Sequence, residues 1–501
     1  MKKKNWLLLW SMLVAALFIG LASKSSPLYP MNDWVDVNCF FTMGRSILDG
    51  LVPYRDLYEQ KGPVLYFVYA IISLFSRDSF FGVYLLETAT YGLFLYFTGK
   101  LVQLYLGKTR LVYSLIAILG ALAPISWSFT HGGSVEQLSL FMLVYGMYST
   151  LRAIQENRGL TFREALVNGI FAGVLLWTKY TMLGFHLGLA LFVLIWYLAD
   201  NSLCKALPAT IGQFLLGVGI VSALVLLYFG INGAISDLFA VYFYDNIFRY
   251  PTEVEGSRME AMWKCLKTAM QQNTNYVWLI YAGFFWLLGR GHRNWRTALM
   301  PLLCFVFLTI GTYWGCKNYD YYGFIFVAFC GFGLIALGKL LQKWNLITLW
   351  HRLLPNDRMP VFCACVLLMV SLTSTAMEHN HNLYLSKIDK ADTVQYRFAE
   401  IINTVENPTL LNYGFLDGGF YFASGATPAC RYFCYYNVNP QEMWDDQRQC
   451  INNGETDFIV TRRNTLDAYR VDASKYELVC TADHPFDDQY TYTYYLYQKV
   501  S

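Results

Sequence analysis

Apolar runs of membrane-spanning length recur along this chain, and they limit its fold more than any other feature. A bilayer core takes roughly 20 apolar residues per helix. Inside it every backbone N–H and C=O must find a partner within the protein. A chain with many such runs has to be a polytopic α-helical membrane protein. The composition agrees: 55% of the 501 residues are hydrophobic and only 15% are charged, where a soluble domain carries about a quarter. The net charge of +3 is small and gives no basis for a nucleic-acid partner. Its distribution says more, because basic residues mark cytoplasmic loops.

Three lysines precede an apolar run over 6–21, and small residues follow at 22–26. That is the layout of a cleaved signal peptide, but the spans that follow favour a retained first helix over 5–23. Either way the N-terminus is cytoplasmic and residue 32 emerges outside. Residues 64–75 are apolar but short for a crossing. If they crossed, the basic turn at Lys108 and Arg110 would lie outside, so 64–75 reads as a juxtamembrane or re-entrant helix. The segments 80–106, 111–127, 137–151, 164–177, 181–198, 208–229, 276–288, 298–314, 323–341 and 360–376 then alternate, giving about eleven spans with the first. The most basic loops fall inside: 152–163; Arg290, His292, Arg293 and Arg296; Lys343, Arg352 and Arg358.

Beyond residue 376 the character changes. No span follows, and short apolar runs at 456–460 and 492–500, bounded by Asn, Gly and Asp, predict strands. The expected organisation is a membrane domain over 1–376, with a first external loop at 24–63, and a small extracytoplasmic α/β or α+β domain over 377–501. Cys430, Cys434, Cys450 and Cys480 lie in the latter. They permit two disulfides in three pairings, or four free thiols. There is no internal repeat, zinc pattern, P-loop or dinucleotide fingerprint, so a nucleotide-driven pump is unsupported.

The first external loop concentrates ionisable residues. Asp33 and Asp36 stand at the mouth of the first helix, where a solvated carboxylate is the ordinary reading. Phe40, Met43 and Ile47 then recur at helical spacing, with Arg45 and Asp49 four apart on another face. The pattern predicts an amphipathic helix lying at the membrane surface, led by Asp36 and ended by Gly50 and Pro53. Pro53 and Pro63 bracket an aromatic loop that carries Tyr54, Arg55, Asp56 and Lys61. Cations at headgroup depth either snorkel or clamp a phosphate, for which Arg and Lys are suited in different ways.

This stretch resembles the first external loop of bacterial GT-C membrane glycosyltransferases, the broad group related to protein mannosyltransferases and lipid A aminoarabinose transferases. The matching pattern is Asp36 and Phe40, Gly44-Arg45, Pro53-Tyr54-Arg55-Asp56 and Lys61-Gly62-Pro63. Many relatives have Lys-Pro-Pro at the last of these. The resemblance implies a GT-C fold in the bacterial plasma membrane and a sugar donor carried on polyprenyl phosphate. It implies transfer on the outer face to an envelope glycan, glycolipid or protein.

It also implies roles. The family's first-loop aspartate falls on Asp36, as base or acceptor-orienting group, and its phosphate lysine on Lys61. A second acidic residue at the outer start of a later helix falls on Glu136, against the plain alternative of a carboxylate favoured by the helix dipole. A divalent metal, Mg or Mn, shared by Asp36 and Glu136 is the possible cofactor. Arg55 and Lys179 are further phosphate ligands. Tyr54, Asp56, Tyr319 and Asp320 are substrate contacts, the last two against an aromatic belt. Direct attack at the anomeric carbon predicts inversion. The alternative is a polytopic transporter or lipid flippase for cell-envelope precursors. It needs ionisable residues deep in the spans, for which the candidates are Glu87, Lys100 and His186. A membrane-anchored sensor or assembly protein would leave the first loop unexplained.

Overall fold

A computed structural model describes residues 5–250, 254, 256–289, 294–344, 358–466, 471–485 and 490–500. Arg290, His292, Arg293, Arg352 and the side chain of Arg358 lie outside the described residues. The chain forms two compact units, each assembled from three stretches of sequence. The first holds Met1–Ser23, Tyr84–Ser222 and Val254–His381; the second holds Lys24–Val83, Ala223–Glu253 and Asn382–Ser501.

Among the described residues, four helical stretches are long and apolar enough to cross a membrane by length and composition: Phe162–Leu198, Leu207–Ile231, Trp295–Tyr313 and Asp320–Lys343. Shorter apolar helices of 10–17 residues include Trp6–Ala22, Leu111–Leu122 and Thr274–Leu288. The Pro63–Ser73 helix has 11 residues, too few to cross alone. Phe162–Leu198 is not one rod. A 3-10 turn at Tyr180–Leu183 divides it. The amide of Leu160, just before the first half, donates to the hydroxyl of Tyr197 near the end of the second at 2.7 Å, so the chain doubles back.

Packing in the first unit relies on close backbone approach. A Cβ at Gly184 would lie 2.1 Å from the Phe307 carbonyl oxygen, and one at Gly188 2.5 Å from that of Leu303. Lipid is as apolar as these side chains, so contact rather than hydrophobic burial holds such helices together. Buried Glu87 in this unit accepts from Ser23 Oγ at 2.9 Å and from Gln137 Nε2 at 3.0 Å.

The second unit is built on a mixed five-stranded sheet of β1 (Thr409–Tyr413), β2 (Thr427–Pro428), β3 (Phe458–Thr461), β4 (Tyr476–Pro485) and β5 (Thr491–Lys499), in the order β2-β1-β3-β5-β4. β1 runs parallel to β2 and β3; β5 runs antiparallel to β3 and β4. Every residue of β3 is buried, as expected of a central strand covered on both faces. Leu411, Ile459 and Tyr497 pack with Ile451 of the Gln441–Asn453 helix to form the core. Strands expected at 456–460 and 492–500 correspond to β3 and β5. No disulfide joins Cys430, Cys434, Cys450 and Cys480 to one another in this structure.

The Val35–Leu48 helix also belongs to this unit. The sequence predicts that it lies at a surface, yet each residue from Val37 to Ser46 is buried. A Cβ at Gly44 would fall 2.6 Å from the Tyr69 backbone, so the helix presses directly on Pro63–Ser73. Phe41 meets Tyr69 and Phe422 edge to face. Arg45 does not pair with Asp49. Its guanidinium points inward and donates to the carbonyls of Tyr421 and Phe422, both at 3.3 Å, while Asp49 pairs with Arg77 at 3.1 Å.

Thr42 donates to Asp417 Oδ2 at 2.7 Å, and the Gly419 amide donates to Asp417 Oδ1 at 2.9 Å. Burial pushes the Asp417 carboxyl up to about 6, against the pull of these donors and of Arg45. Its folded-state pKa lies above the ordinary 3.8, so the folded protein holds this proton more tightly than the open chain. The resulting stability, on the order of 3 kcal/mol, is full below about pH 4 and is lost as pH rises through about 6. Thermal unfolding of the purified protein should show the midpoint falling across that window. Asp417→Asn should remove this part of the slope; an unchanged slope would mean that Asp417 ionises as it does in the open chain.

Candidate active site

The entry to the Val35–Leu48 helix is fixed by buried polar contacts. Asp33 gives Oδ1 to Lys24 Nζ at 2.7 Å and Oδ2 to His484 Nε2 at 3.0 Å, and all three side chains are nearly sealed from solvent. Asn32 Oδ1 accepts the Trp34 amide at 3.0 Å, and Asn38 Nδ2 donates to the carbonyls of Asn32 and Trp34 at 2.9 Å. The helix therefore starts at a defined residue. Asp36 falls in its first turn, where the dipole favours negative charge. Asp36 Oδ2 stands 3.6 Å from Lys61 Nζ, with the two side chains 17% and 21% exposed. Lys61 Nζ also lies 5.7 Å from the centre of the Phe40 ring. Of the two neighbouring aspartates, Asp33 is closed off and Asp36 faces the loop lysine.

The main chain of Lys61 is held from several directions. Its amide donates to Glu59 Oε2 at 2.8 Å. Its carbonyl accepts from the Tyr54 hydroxyl at 2.7 Å and lies 2.8 Å from the Tyr66 hydroxyl, which also touches the Glu59 carboxylate. Burial pushes the Glu59 carboxyl up, and the Lys61 ammonium draws it partly back. Tyr54 is buried at a left-handed φ of 70°, and its carbonyl accepts from Arg431 Nε and Nη2 at 3.1 and 2.8 Å. From the π-helix Phe239–Arg249, Asn246 Nδ2 donates to the Gln60 carbonyl at 2.8 Å and Asp245 accepts from the Tyr58 hydroxyl at 2.9 Å. Such helices are rare and gather at functional sites.

Glu59 escaped the sequence reading. Its signal was a carboxylate two residues before the lysine inside the proline-bracketed loop. Arg55 and Asp56 form a two-point ion pair, each bond 2.8 Å. Arg55 also donates to the Asn232 carbonyl at 2.8 Å. Asp56 accepts the Val52 amide at 2.7 Å, and the Arg55 guanidinium holds its carboxyl below the usual range. Tyr54, Arg55 and Asp56 thus spend polar groups on the shape of the loop.

The first unit holds another carboxylate–ammonium pair. Glu136 lies in the first turn of Val135–Gln155, capped by Ser134, which accepts the Gln137 amide at 3.1 Å. Glu136 is buried and its Oε1 pairs with Lys179 Nζ. Lys179 ends the Phe162–Lys179 helix, and its ammonium sits 3.9 Å over the Tyr322 ring and 5.2 Å from that of Tyr321. Tyr319 stacks on Tyr321 and meets Tyr322 edge-on. Glu136, Lys179 and this tyrosine cluster come together; Asp320 is exposed. Glu136 Oε2 is buried with no hydrogen-bond partner among the described residues.

The expected divalent metal does not fit these groups. Asp36 already faces one ammonium and Glu136 another, and a dication would be repelled by both. No group of three or more His, Cys, Asp or Glu among the described residues is placed to hold one.

No protein-family model matches the chain, and no curated protein matches its sequence. Solved structures do match its fold. ArnT from Cupriavidus metallidurans bound to undecaprenyl phosphate aligns with a TM-score of 0.57 at 13% identity, over 99% of this chain and 98% of that one. The apo form of ArnT aligns with the same score at 14% identity, over 98% of each. The archaeal oligosaccharyltransferase AglB from Archaeoglobus fulgidus, in complex with an inhibitory peptide and a dolichol-phosphate, scores 0.47 at 11% identity, over 92% of this chain and 70% of that one. The chain shares the fold of ArnT.

The anchoring of Lys61 is directly measurable. Glu59→Ala leaves the Lys61 amide without its acceptor, a loss of about 1–3 kcal/mol for a buried donor. Hydrogen exchange at the Lys61 amide should accelerate on the order of tenfold or more, while Glu59→Gln, which keeps an acceptor oxygen, should leave it nearly as protected as in the parent. Equal exchange in all three proteins would show that Glu59 does not order the loop.

Proposed function

We propose that this protein is an integral-membrane glycosyltransferase that moves a sugar from a polyprenyl-phosphate donor to an acceptor on the outer face of the bacterial plasma membrane. The observation that carries this reading is the 3.6 Å approach of Asp36 to Lys61 at the head of a buried helix. An acceptor hydroxyl is a weak nucleophile, and a carboxylate within hydrogen-bond reach takes its proton as it attacks. Asp36 is that base. The acceptor oxygen bonds to the anomeric carbon, and the bond from that carbon to the phosphate oxygen breaks. Its electron pair leaves with the lipid phosphate, and configuration inverts. Lys61 stabilises the departing phosphate as a fixed charge that need not reorganise.

Lys61 is the phosphate ligand of the loop, and Arg55 has a different part. Its two-point pair with Asp56 makes it a strut of the loop that presents Lys61. Glu136 keeps one buried oxygen for a hydrogen-bond donor, which the hydroxyl and amino groups of sugars supply. Lys179 holds the charge of Glu136 in balance. The N-terminus is cytoplasmic in this reading, and the sheet-bearing second unit is extracytoplasmic. The acceptor class is an envelope glycan, glycolipid or protein.

The transporter reading needs a membrane carboxylate whose proton or ion partner changes. Glu87 accepts from Ser23 and Gln137, which ties it to two other parts of the first unit and favours a structural part for it. A transfer assay with a labelled polyprenyl-phosphate sugar distinguishes the two. Asp36→Asn should lower transfer about 10²- to 10⁴-fold with the thermal midpoint unchanged, and Lys61→Met should weaken retention of polyprenyl phosphate. Full transfer by Asp36→Asn would remove Asp36 from the chemistry. Lipid movement across vesicles that survives both changes would favour the flippase.

A further inference from the structure

The Val35–Leu48 helix carries Cys39 just under one turn beyond Asp36. Its Sγ lies 3.9 Å from Sγ of Cys434, across 395 residues of sequence. Both side chains are buried, at 2% and 0% exposure. The sequence confined possible pairings to Cys430, Cys434, Cys450 and Cys480. The fold regroups them: Cys430 neighbours Cys450 and gives its thiol hydrogen to the Tyr432 carbonyl at 3.6 Å, Cys480 sits half-buried on β4, and the neighbour of Cys434 comes from the first loop.

Cys39 also belongs to a stripe. Cys39, Thr42 and Arg45 follow one another at three-residue steps, which places them along one side of a helix. Thr42 bonds Asp417, and Arg45 bonds the carbonyls of Tyr421 and Phe422. Each position of the stripe therefore meets residues between 417 and 434. Sulfurs in a disulfide stand about 2.05 Å apart, so closing this pair draws the two Sγ atoms together from 3.9 Å.

We propose that Cys39 and Cys434 form a disulfide in the mature protein, covalently tying the helix that carries Asp36 to the C-terminal part of the second unit. This rests on the outer-face placement proposed above, since such bonds persist only in an oxidising compartment. The oxidant is a disulfide-bearing protein of the cell envelope. One cysteine thiolate attacks its disulfide and forms a mixed disulfide, releasing one donor thiol. The thiolate of the other cysteine then displaces the second. Cys39 and Cys434 lose two protons and two electrons, and the donor leaves as a dithiol. Exchange needs access to sulfur, so the bond forms before the helix docks. Burial, which pushes the Cys39 thiol well up, makes late exchange slow.

The test uses the full-length protein in spheroplasts. An impermeant maleimide is applied to a first sample, to report which side of the membrane Cys480 faces. N-ethylmaleimide in denaturant is applied at harvest to a second, and peptides are mapped by mass spectrometry without reduction. The expected result is a linked pair containing Cys39 and Cys434, lighter by two hydrogens than its parts and separated by reductant. In Cys39→Ser, Cys434 should become fully alkylated. Alkylation of both cysteines in the parent, or a peptide joining Cys434 to Cys430, Cys450 or Cys480, would overturn the proposal. The two readings fail separately: impermeant labelling of Cys480 together with free Cys39 and Cys434 sinks only the disulfide. Cys480 labelled solely after lysis sinks the outer-face placement.

Discussion

Asp33 gives one carboxylate oxygen to Lys24 and the other to His484 inside a nearly water-free pocket, and the geometry of the first loop depends on that closure. Removing one partner from such a buried pair typically costs about 3–5 kcal/mol, because the remaining charge is stranded. The closure fixes the chain where it turns into the Val35–Leu48 helix. Asp36, three residues later, is then placed in the first turn with a single ammonium opposite and part of its surface open. Two aspartates that look alike in sequence are separated by environment. One is sealed by a lysine and a histidine, and the other remains available to a substrate.

The same logic governs the loop that presents Lys61. Rigid positioning of a charge is worth more than its presence, because a preorganised dipole or ion does not reorganise as the reaction proceeds. Glu59, Tyr54 and Tyr66 bind the backbone of Lys61, and Asn246 binds the residue before it. The ammonium faces Asp36 and the Phe40 ring. Lysine suits that task as a point charge on a flexible stem, whereas the planar guanidinium of Arg55 is matched two-point to Asp56.

The chemistry of the loop was legible in the sequence because its residue types are local. Asp36, Pro53, Lys61 and Pro63 lie within thirty positions, and the strands β3 and β5 showed as apolar runs between turn residues. What was not legible comes from distance along the chain. Periodicity exposes one apolar face of the Val35–Leu48 helix, but the partners that bury its other faces, Asp417, Tyr421 and Phe422, lie more than 370 residues away. Arg45 therefore read as a surface cation. Glu59 escaped notice because its partner Tyr66 stands on the next helix. The approach of Cys39 to Cys434 was hidden for the same reason: the two lie 395 residues apart.

These distant contacts converge. His484 holds Asp33, Arg431 holds the Tyr54 carbonyl, and Asp417 holds Thr42. All three come from the C-terminal stretch, and all three act on the first loop within the one compact unit that contains both. The sheet is therefore more than an appended domain beside a membrane bundle. It is the frame on which the helix of Asp36 and the loop of Lys61 are mounted. A buried Thr42–Asp417 bond or a buried arginine on carbonyls tolerates little displacement, since each lost partner leaves a polar group stranded in the core. A change on the sheet side of these contacts must then be felt as a change in the distance between Asp36 and Lys61, although no sheet residue need touch either one.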